Sequence, residues 1–401
     1  MMSDRKLLVV FGATGIQGGS VAQTILRDPV ASGEFKIRAV TRDPSKSAAV
    51  SLAQQGAEVV QADLQDKYSL RLALQNAYAV FVITNFWEIL DPEAETTQGM
   101  NIADVAKELE VKHFIWSSLP YVSRITNNKL TGVVHFDSKA RVDDYIHELA
   151  IPYTIITVGT YTSFFLEMLT PLPTTPPSYG LFFPEPGSVH TTVPIIDPTA
   201  DLGKFVKGIL LNPEKSLGRS FNIAGRSYAV EEVIAVAKGL DVDIVYHTVD
   251  KASFKAGIAS KGLPEVVQED MSQLVQYTQE YGYFGGASLE EGHEVSQSVG
   301  RDLDCDALSL FDYPLLDIAN DCLSLASTGS LDDSRRIIQE QCSLFITAEG
   351  LATYWNVSML NATPKIFTFM LVFYWLLSSR CMGIPIIENT IGNGPRIYIC
   401  L

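Results

Sequence analysis

The first 300 residues of this 401-residue chain contain no cysteine. Cys305, Cys322, Cys342, Cys381 and Cys400 all fall in the last quarter, and none has the close paired spacing of a zinc site. A disulfide framework is therefore not expected in a large α/β chain of a reducing compartment, and no metal site is expected either. Positive charge is scarce as well: 30 Lys and Arg face 46 Asp and Glu, a formal net charge of −16. A surface of that sign repels phosphate backbones and anionic membranes, so direct nucleic-acid binding is disfavoured. The apolar run IFTFMLVFYWLLSS (366–379), bracketed by Lys365 and Arg380, has 14 residues where a bilayer needs about 20. No membrane span is expected, which leaves a buried helix or an interfacial segment. The opening MMSDRKLLVV halts at a glycine turn, without the longer apolar stretch and cleavage site of a signal peptide. The reading is a cytoplasmic chain, with the nucleus as the other compartment open to it.

What is present is enough apolar sequence for a sizeable core, 47% of residues, in a chain long for one domain. The organising stretch is LLVVFGATGIQGG (7–19). An apolar β-type run, Leu7 to Phe11, leads into Gly12-x-x-Gly15-x-x-Gly18, and a helical pattern follows with Ile16, Val21, Ile25 and Leu26. Strand, glycine turn and helix in that order suit a dinucleotide. The turn lets the backbone approach a pyrophosphate, and the helix presents free N–H groups to it.

Further along, FKIRAVTRDP (35–44) predicts a second strand ending at Thr41-Arg42. An acidic residue at that end reads a ribose 2′-OH and a basic one accommodates a 2′-phosphate. Arg42, with Lys46 at the start of the next helix, therefore favours NADP(H). Residues 57–64 predict a third strand ending at Asp63, an adenine contact or the N-cap of the helix carrying Leu70, Leu72 and Leu74. AYAVFVITNF (77–86) is almost continuously apolar, as a parallel strand covered on both faces should be, and it brings Thr84, Asn85 and Phe86 to the crevice. Helix 93–109, strand 111–119 ending at Ser117-Ser118, helix 135–149 and strand 153–158 complete six βα alternations, which specify a doubly wound parallel sheet. Residues 159–187 are rich in proline and aromatics and predict a loop closing over a pocket. Asp197 with Pro198 predicts the start of a helix carrying Leu202, Phe205, Val206 and Ile209. Residues 220–225 and 241–249 predict strands, Ser227 caps helix 229–239, and 263–281 is a last helix.

GATGIQGGSV, VTRDP, QGAEVVQADLQD, VFVITNFWE, HFDSKARVDDYI and PIIDPTADLGKFV resemble, in order and spacing, the NmrA-like family, an atypical branch of the short-chain dehydrogenases/reductases. The resemblance covers about 5–293. It implies an NADP(H)-binding Rossmann domain (1–158), a smaller α+β C-terminal lobe for substrate or partner (159–294), and an irregular tail (295–401) that matches nothing in the family. For the tail it suggests intron read-through in a fungal gene rather than a third domain. Carried over residue by residue, Gly12, Ala13, Thr14, Gly15, Ile16, Gln17 and Gly18 resemble the pyrophosphate loop. Thr41, Arg42 and Lys46 resemble the 2′-phosphate clamp, and Asp63 and Leu64 the adenine contacts. Thr84, Asn85 and Phe86 match the cofactor-side end of strand four, Lys139 the lysine near the nicotinamide ribose, and Tyr161 an aromatic contact after strand six.

Ordinary members of the superfamily use Tyr-x-x-x-Lys, in which lysine binds ribose and tyrosine moves the substrate proton. Here the spacing survives as His135-Phe-Asp-Ser-Lys139. Histidine titrates near neutrality and can replace the tyrosine as acid/base, or His135 merely opens the helix and faces solvent. Ser117 or Ser118 is placed to hydrogen-bond a substrate carbonyl. Phe164 stands where the family often has Asn. Two functions remain. One is an NADPH-dependent reductase acting on a C=O, C=N or C=C bond of an apolar small molecule, of the kind found in fungal secondary metabolism. The other is a non-catalytic NADP(H) sensor controlling a protein partner such as a transcription factor. A homodimer is left open.

Overall fold

Leu7 and Val9 turn to one face of their strand, Leu8 and Val10 to the other, and all four are buried. That double burial sets the architecture, because a strand apolar on both faces needs a layer of helices on each. The computed structural model describes residues 5–297, apart from 175 and 177, together with two short strands near the end. The main-sheet strands are β1 (Lys6–Val10), β2 (Phe35–Thr41), β3 (Glu58–Gln61), β4 (Ala79–Val82), β5 (His113–Ser118) and β6 (Tyr153–Val158). Then come β7 (Thr160–Tyr161), β8 (Leu169–Leu172), β9 (Ser178–Pro184), β10 (Thr192–Ile196), β11 (Arg219–Ile223), β12 (Arg226–Ala229) and β13 (Ile244–Val249). Helices α1 (Ile16–Arg27), α2 (Pro29–Glu34), α3 (Ser47–Gln54), α4 (Lys67–Leu74), α5 (Phe86–Ile89), α6 (Pro92–Glu108), α7 (Val122–Ile125) and α8 (Val134–Leu149) alternate with the first six strands. The remainder are α9 (Thr162–Met168), α10 (Leu202–Leu211), α11 (Pro213–Ser216), α12 (Val230–Gly239), α13 (Lys251–Ser260), α14 (Glu265–Tyr281) and α15 (Glu290–Gln297).

Seven strands form one parallel sheet in the order β11-β6-β5-β4-β1-β2-β3. The chain runs outward one way through β1–β3, then returns beside β1 as β4 and proceeds the other way. The reversal between β1 and β4 opens a crevice at their carboxyl ends, where open α/β sheets bind ligands. One face is covered by α1 and α10, whose Leu202, Phe205, Val206 and Ile209 are buried as the sequence predicts; the other is covered by α4, α6 and α8. Gly203 lets α10 lie against α1, since a Cβ there would fall 2.4 Å from the Ser20 carbonyl oxygen.

Several local expectations are corrected. Residues 159–187 are not a loop. They form α9 and a hairpin, β8 antiparallel to β9, and β9 pairs in parallel with β13, about 60 residues on. A second small sheet has the order β12-β10-β7. Asp197 does not start α10: its carboxylate accepts from Thr199 and Ala200, and the cap position is Asp201. Ser227 lies within β12, and α12 is capped instead by Glu232, which accepts the Ala229 N–H. Asp66, not Asp63, caps α4, where Leu70 and Leu74 are buried and Leu72 is exposed. Ile16 is exposed rather than on the buried face of α1.

All five cysteines and the run 366–379 lie outside the described residues. Strands Ile387–Asn389 and Ile397–Ile399 pair antiparallel as a unit of their own. Among the described residues, no helix is long and apolar enough to cross a membrane and no His/Cys/Asp/Glu cluster suits a metal.

Candidate functional site

The glycine turn sits at the β1 side of the crevice. Gly12 has φ +64, and an added Cβ would lie 2.7 Å from the Ile83 side chain, so only glycine fits. Gly18 is fixed by packing, because its Cβ would meet the Gly12 carbonyl oxygen at 2.4 Å. Gly15 is exposed, and a Cβ there would meet the Gly12 carbonyl oxygen at 3.3 Å, a tight contact but a milder one than at Gly12 or Gly18. Ala13 is buried, while Thr14 and Ile16 border the turn. Gly15 is the N-cap of α1 with no side-chain cap, and no acidic residue lies in the first turn. A helix start left open in this way, beside two exposed glycines, fits a pyrophosphate.

On the adenine side, the Thr41 hydroxyl accepts from the Asp43 N–H, and Gln61 holds the Arg42 carbonyl at 2.8 Å. Arg42 is exposed, but its guanidinium donates to both oxygens of Glu88 at 2.8 Å. Lys46 is exposed at the N-cap of α3. Asp63 is exposed and turns its carboxylate to the Gln65 N–H; Asn101 donates to the Leu64 carbonyl.

Beyond β4 a buried ion pair closes the crevice floor. The Lys139 ammonium donates to Glu95 Oε1 (2.7 Å), Thr84 Oγ1 (2.7 Å) and the Thr84 carbonyl (2.9 Å), which uses all three of its N–H groups. Glu95 is fully buried and also accepts from Thr84 and Ser138. Burial pushes its carboxyl up, but Lys139 and the two hydroxyls outweigh this and hold it below the ordinary range. Asn85 is an exposed N-cap of α5, and Phe86 is buried.

His135 does not face solvent. It is 7% exposed, its ring lies between Trp87 (5.0 Å between centroids), Phe86 (5.8 Å) and Phe136 (4.6 Å), and its Nδ1 is 2.6 Å from Asp270 Oδ1. Those two atoms are close but poorly aligned for a hydrogen bond. Asp270 Oδ2 meanwhile accepts the His135 backbone N–H at 3.0 Å, so α14 caps the start of α8 across the crevice. Nε2 has no hydrogen-bond partner among the described residues. His135 and Lys139, one turn apart, share a helix face.

The two serines part company, as neighbours on a strand must. Ser117 donates to Gln17 Oε1 at 2.7 Å, and Gln17 Nε2 donates to the Tyr161 hydroxyl, which joins the glycine turn, β5 and β7. Burial pushes the Tyr161 phenol up to about 12, against the opposing bond from Gln17. Ser118 turns away from that chain and donates to Asp143 Oδ2 on α8 at 2.9 Å. Burial pushes the Asp143 carboxyl up to about 8. Between about pH 4 and 8 the folded chain then holds a proton that the unfolded chain releases, so stability falls as pH rises through that window. Asp143→Asn should flatten this slope, and urea midpoints at pH 5 and pH 8 would differ less in the variant.

Next to this site, Phe164, Phe183, Val193, Tyr246, Leu274 and Tyr283 line an apolar cavity of about 50 Å³. Phe164 thus supplies apolar wall where the family often has a hydrogen-bonding Asn. Sequence reasoning missed Glu88, Glu95 and Asp270.

Comparison with known proteins gives the family and agrees with the fold. The profile of the NmrA-like family matches residues 4–306. An NmrA-like family domain-containing oxidoreductase, FrzB of Cladobotryum sp., is 29% identical over 299 residues, 69% of this chain and 84% of the relative. Among solved structures, the negative transcriptional regulator NmrA superposes with TM-score 0.65 at 19% identity, covering 79% of this chain and 98% of that one. An NADPH-dependent quinone oxidoreductase from Escherichia coli, complexed with NADPH, gives TM-score 0.59 at 20% identity, covering 76% and 98%.

Proposed function

Because the chain belongs to the NmrA-like family, we propose that it is an NADPH-dependent reductase of an apolar small molecule carrying a C=O, C=N or C=C bond, in fungal secondary metabolism. Gly12 to Gly18 would hold the pyrophosphate, Arg42 and Lys46 the 2′-phosphate, and Lys139 the floor beneath the nicotinamide ribose. The bound nicotinamide would supply hydride. His135 would then donate a proton from Nε2 to the reduced substrate, and Asp270 would orient the ring, as a carboxylate does in a triad, once the ring turns to align Nδ1 with it. Phe164, Phe183 and Tyr246 would supply apolar wall for the substrate, which would have to widen the cavity of about 50 Å³ that they line, since ligand pockets run to about 300–1,000 Å³. The observation carrying this reading is the buried His135–Asp270 contact one helical turn from Lys139.

One observation favours the sensor instead. Lys139 has no N–H left over in this arrangement, so a ribose hydroxyl must exchange for Thr84 or Glu95. The test is fluorescence titration of NADPH and NADH, followed by absorbance at 340 nm with carbonyl, imine and enone substrates. Arg42→Ala should weaken NADPH by about tenfold or more, as loss of a charge-assisted contact does, and leave NADH unchanged. Equal affinity for the two cofactors in the parent would sink the role of Arg42. NADPH binding without turnover across the panel would favour the sensor.

A further inference from the structure

The Arg42 side chain reaches out of β2 only to be met by a carboxylate from the far side of the β1/β4 reversal. Both Glu88 oxygens lie 2.8 Å from one guanidinium nitrogen. Glu88 belongs to α5, a single turn that also carries Trp87, and the Trp87 ring packs on His135 at 5.0 Å. One short helix therefore touches Arg42 with one side chain and His135 with the next. We propose that Glu88 is a latch that reports the 2′-phosphate: it occupies the guanidinium until a 2′-phosphate displaces it, and that displacement shifts α5 and moves Trp87 on His135. This rests on the reading of Arg42 given above.

Charge supplies the discrimination. A dianionic 2′-phosphate outcompetes a monoanionic carboxylate for the same guanidinium, whereas a 2′-hydroxyl brings no charge to compete. The pair is half-exposed, with side-chain exposures of 62% for Arg42 and 36% for Glu88, so the latch is weak enough to open. Once released, Glu88 keeps a negative charge near the phosphate, which lowers affinity for the phosphorylated cofactor and so narrows, without removing, its contrast with the other. The site would thus report 2′-phosphate occupancy to the acid/base side chain through two consecutive residues of α5, with no rearrangement of the sheet.

The test titrates the full chain with adenosine 2′,5′-bisphosphate and with AMP, following heat of binding and Trp87 emission, the latter taken as the difference from a Trp87→Phe protein. Glu88→Gln should bind the bisphosphate about three- to tenfold more tightly, from loss of a surface pair and its residual repulsion, and bind AMP as the parent does. In the parent, the bisphosphate should change Trp87 emission and AMP should not; in Glu88→Gln the change should already be present without ligand. If Arg42→Ala weakens the bisphosphate while Glu88→Gln leaves it unchanged, the latch is wrong and the clamp stands. Tighter binding in Glu88→Gln without an emission change overturns the link to His135. Equal bisphosphate and AMP binding in the parent and in Arg42→Ala overturns the clamp and the latch together.

Discussion

Glu95→Gln should lower the stability of the fold by about 3–5 kcal/mol, the usual result of stranding one charge of a buried pair. Glu95 is fully buried and Lys139 is 6% exposed, and their partners Thr84 and Ser138 are buried too. The amide oxygen still accepts from Thr84, while its NH2 replaces the oxygen that accepts from Ser138, whose hydroxyl keeps the His135 carbonyl as an acceptor, so the loss is that of the charge together with one hydrogen bond. Lys139→Met should cost a similar amount from the other side. The double variant should lose less than the sum, because both charges have gone together. Urea denaturation of the four proteins measures this, and strictly additive losses would contradict the coupling. The sign with pH follows from the lowered Glu95 carboxyl: its stabilisation is complete above about pH 4.5 and is lost as pH falls through the folded-state value. In a reductase, this cost secures a lysine fixed to the crevice floor.

Sequence made the βα series legible because its signals are local. Leu7 to Val10, Gly12, Gly15 and Gly18 declare strand, turn and helix within 13 residues, and Val80 to Val82 declare a strand buried on both faces. The smaller lobe is different. Residues 178–184 form a strand by pairing with 169–172 on one side and 244–249 on the other, and Pro171 and Pro184 at strand positions disguise the pattern. Asp197 with Pro198 carried the local signature of a helix start, yet four more residues pass before α10 begins. The first case shows tertiary pairing overriding a local cue; in the second the Asp197 carboxylate and carbonyl close a turn of their own ahead of the helix.

The site divides along the same line. Gly12, Gly18 and Arg42 could be placed from turn chemistry and strand position alone. Glu95 lies 44 residues from Lys139, and Asp270 lies 135 from His135, so nothing in either neighbourhood announces the pairing. One signal was available for Asp270. It interrupts the apolar stripe Val267, Met271, Leu274 on α14, where a carboxylate is out of place unless something pairs with it. The same reasoning separates Ser117 from Ser118, whose opposite directions follow from strand geometry once the strand is fixed.

His135→Asn should reduce turnover by about 10²- to 10⁴-fold, the range for loss of a positioned general acid, with NADPH binding retained. Asp270→Asn keeps an oxygen to accept the His135 backbone N–H, so the start of α8 stays capped, but it removes the carboxylate beside Nδ1. Its effect on kcat should be smaller than that of His135→Asn, with little change in KM. The deciding protein is the double variant. A carboxylate that acts through the imidazole has nothing left to orient once His135 is gone, so His135→Asn/Asp270→Asn should turn over no more slowly than His135→Asn alone. A purely structural Asp270 would instead add its own loss to the histidine's. Multiplied losses in kcat, or undiminished turnover in His135→Asn, would remove this pair from the chemistry and leave Asp270 as the helix cap that joins the two sides of the crevice.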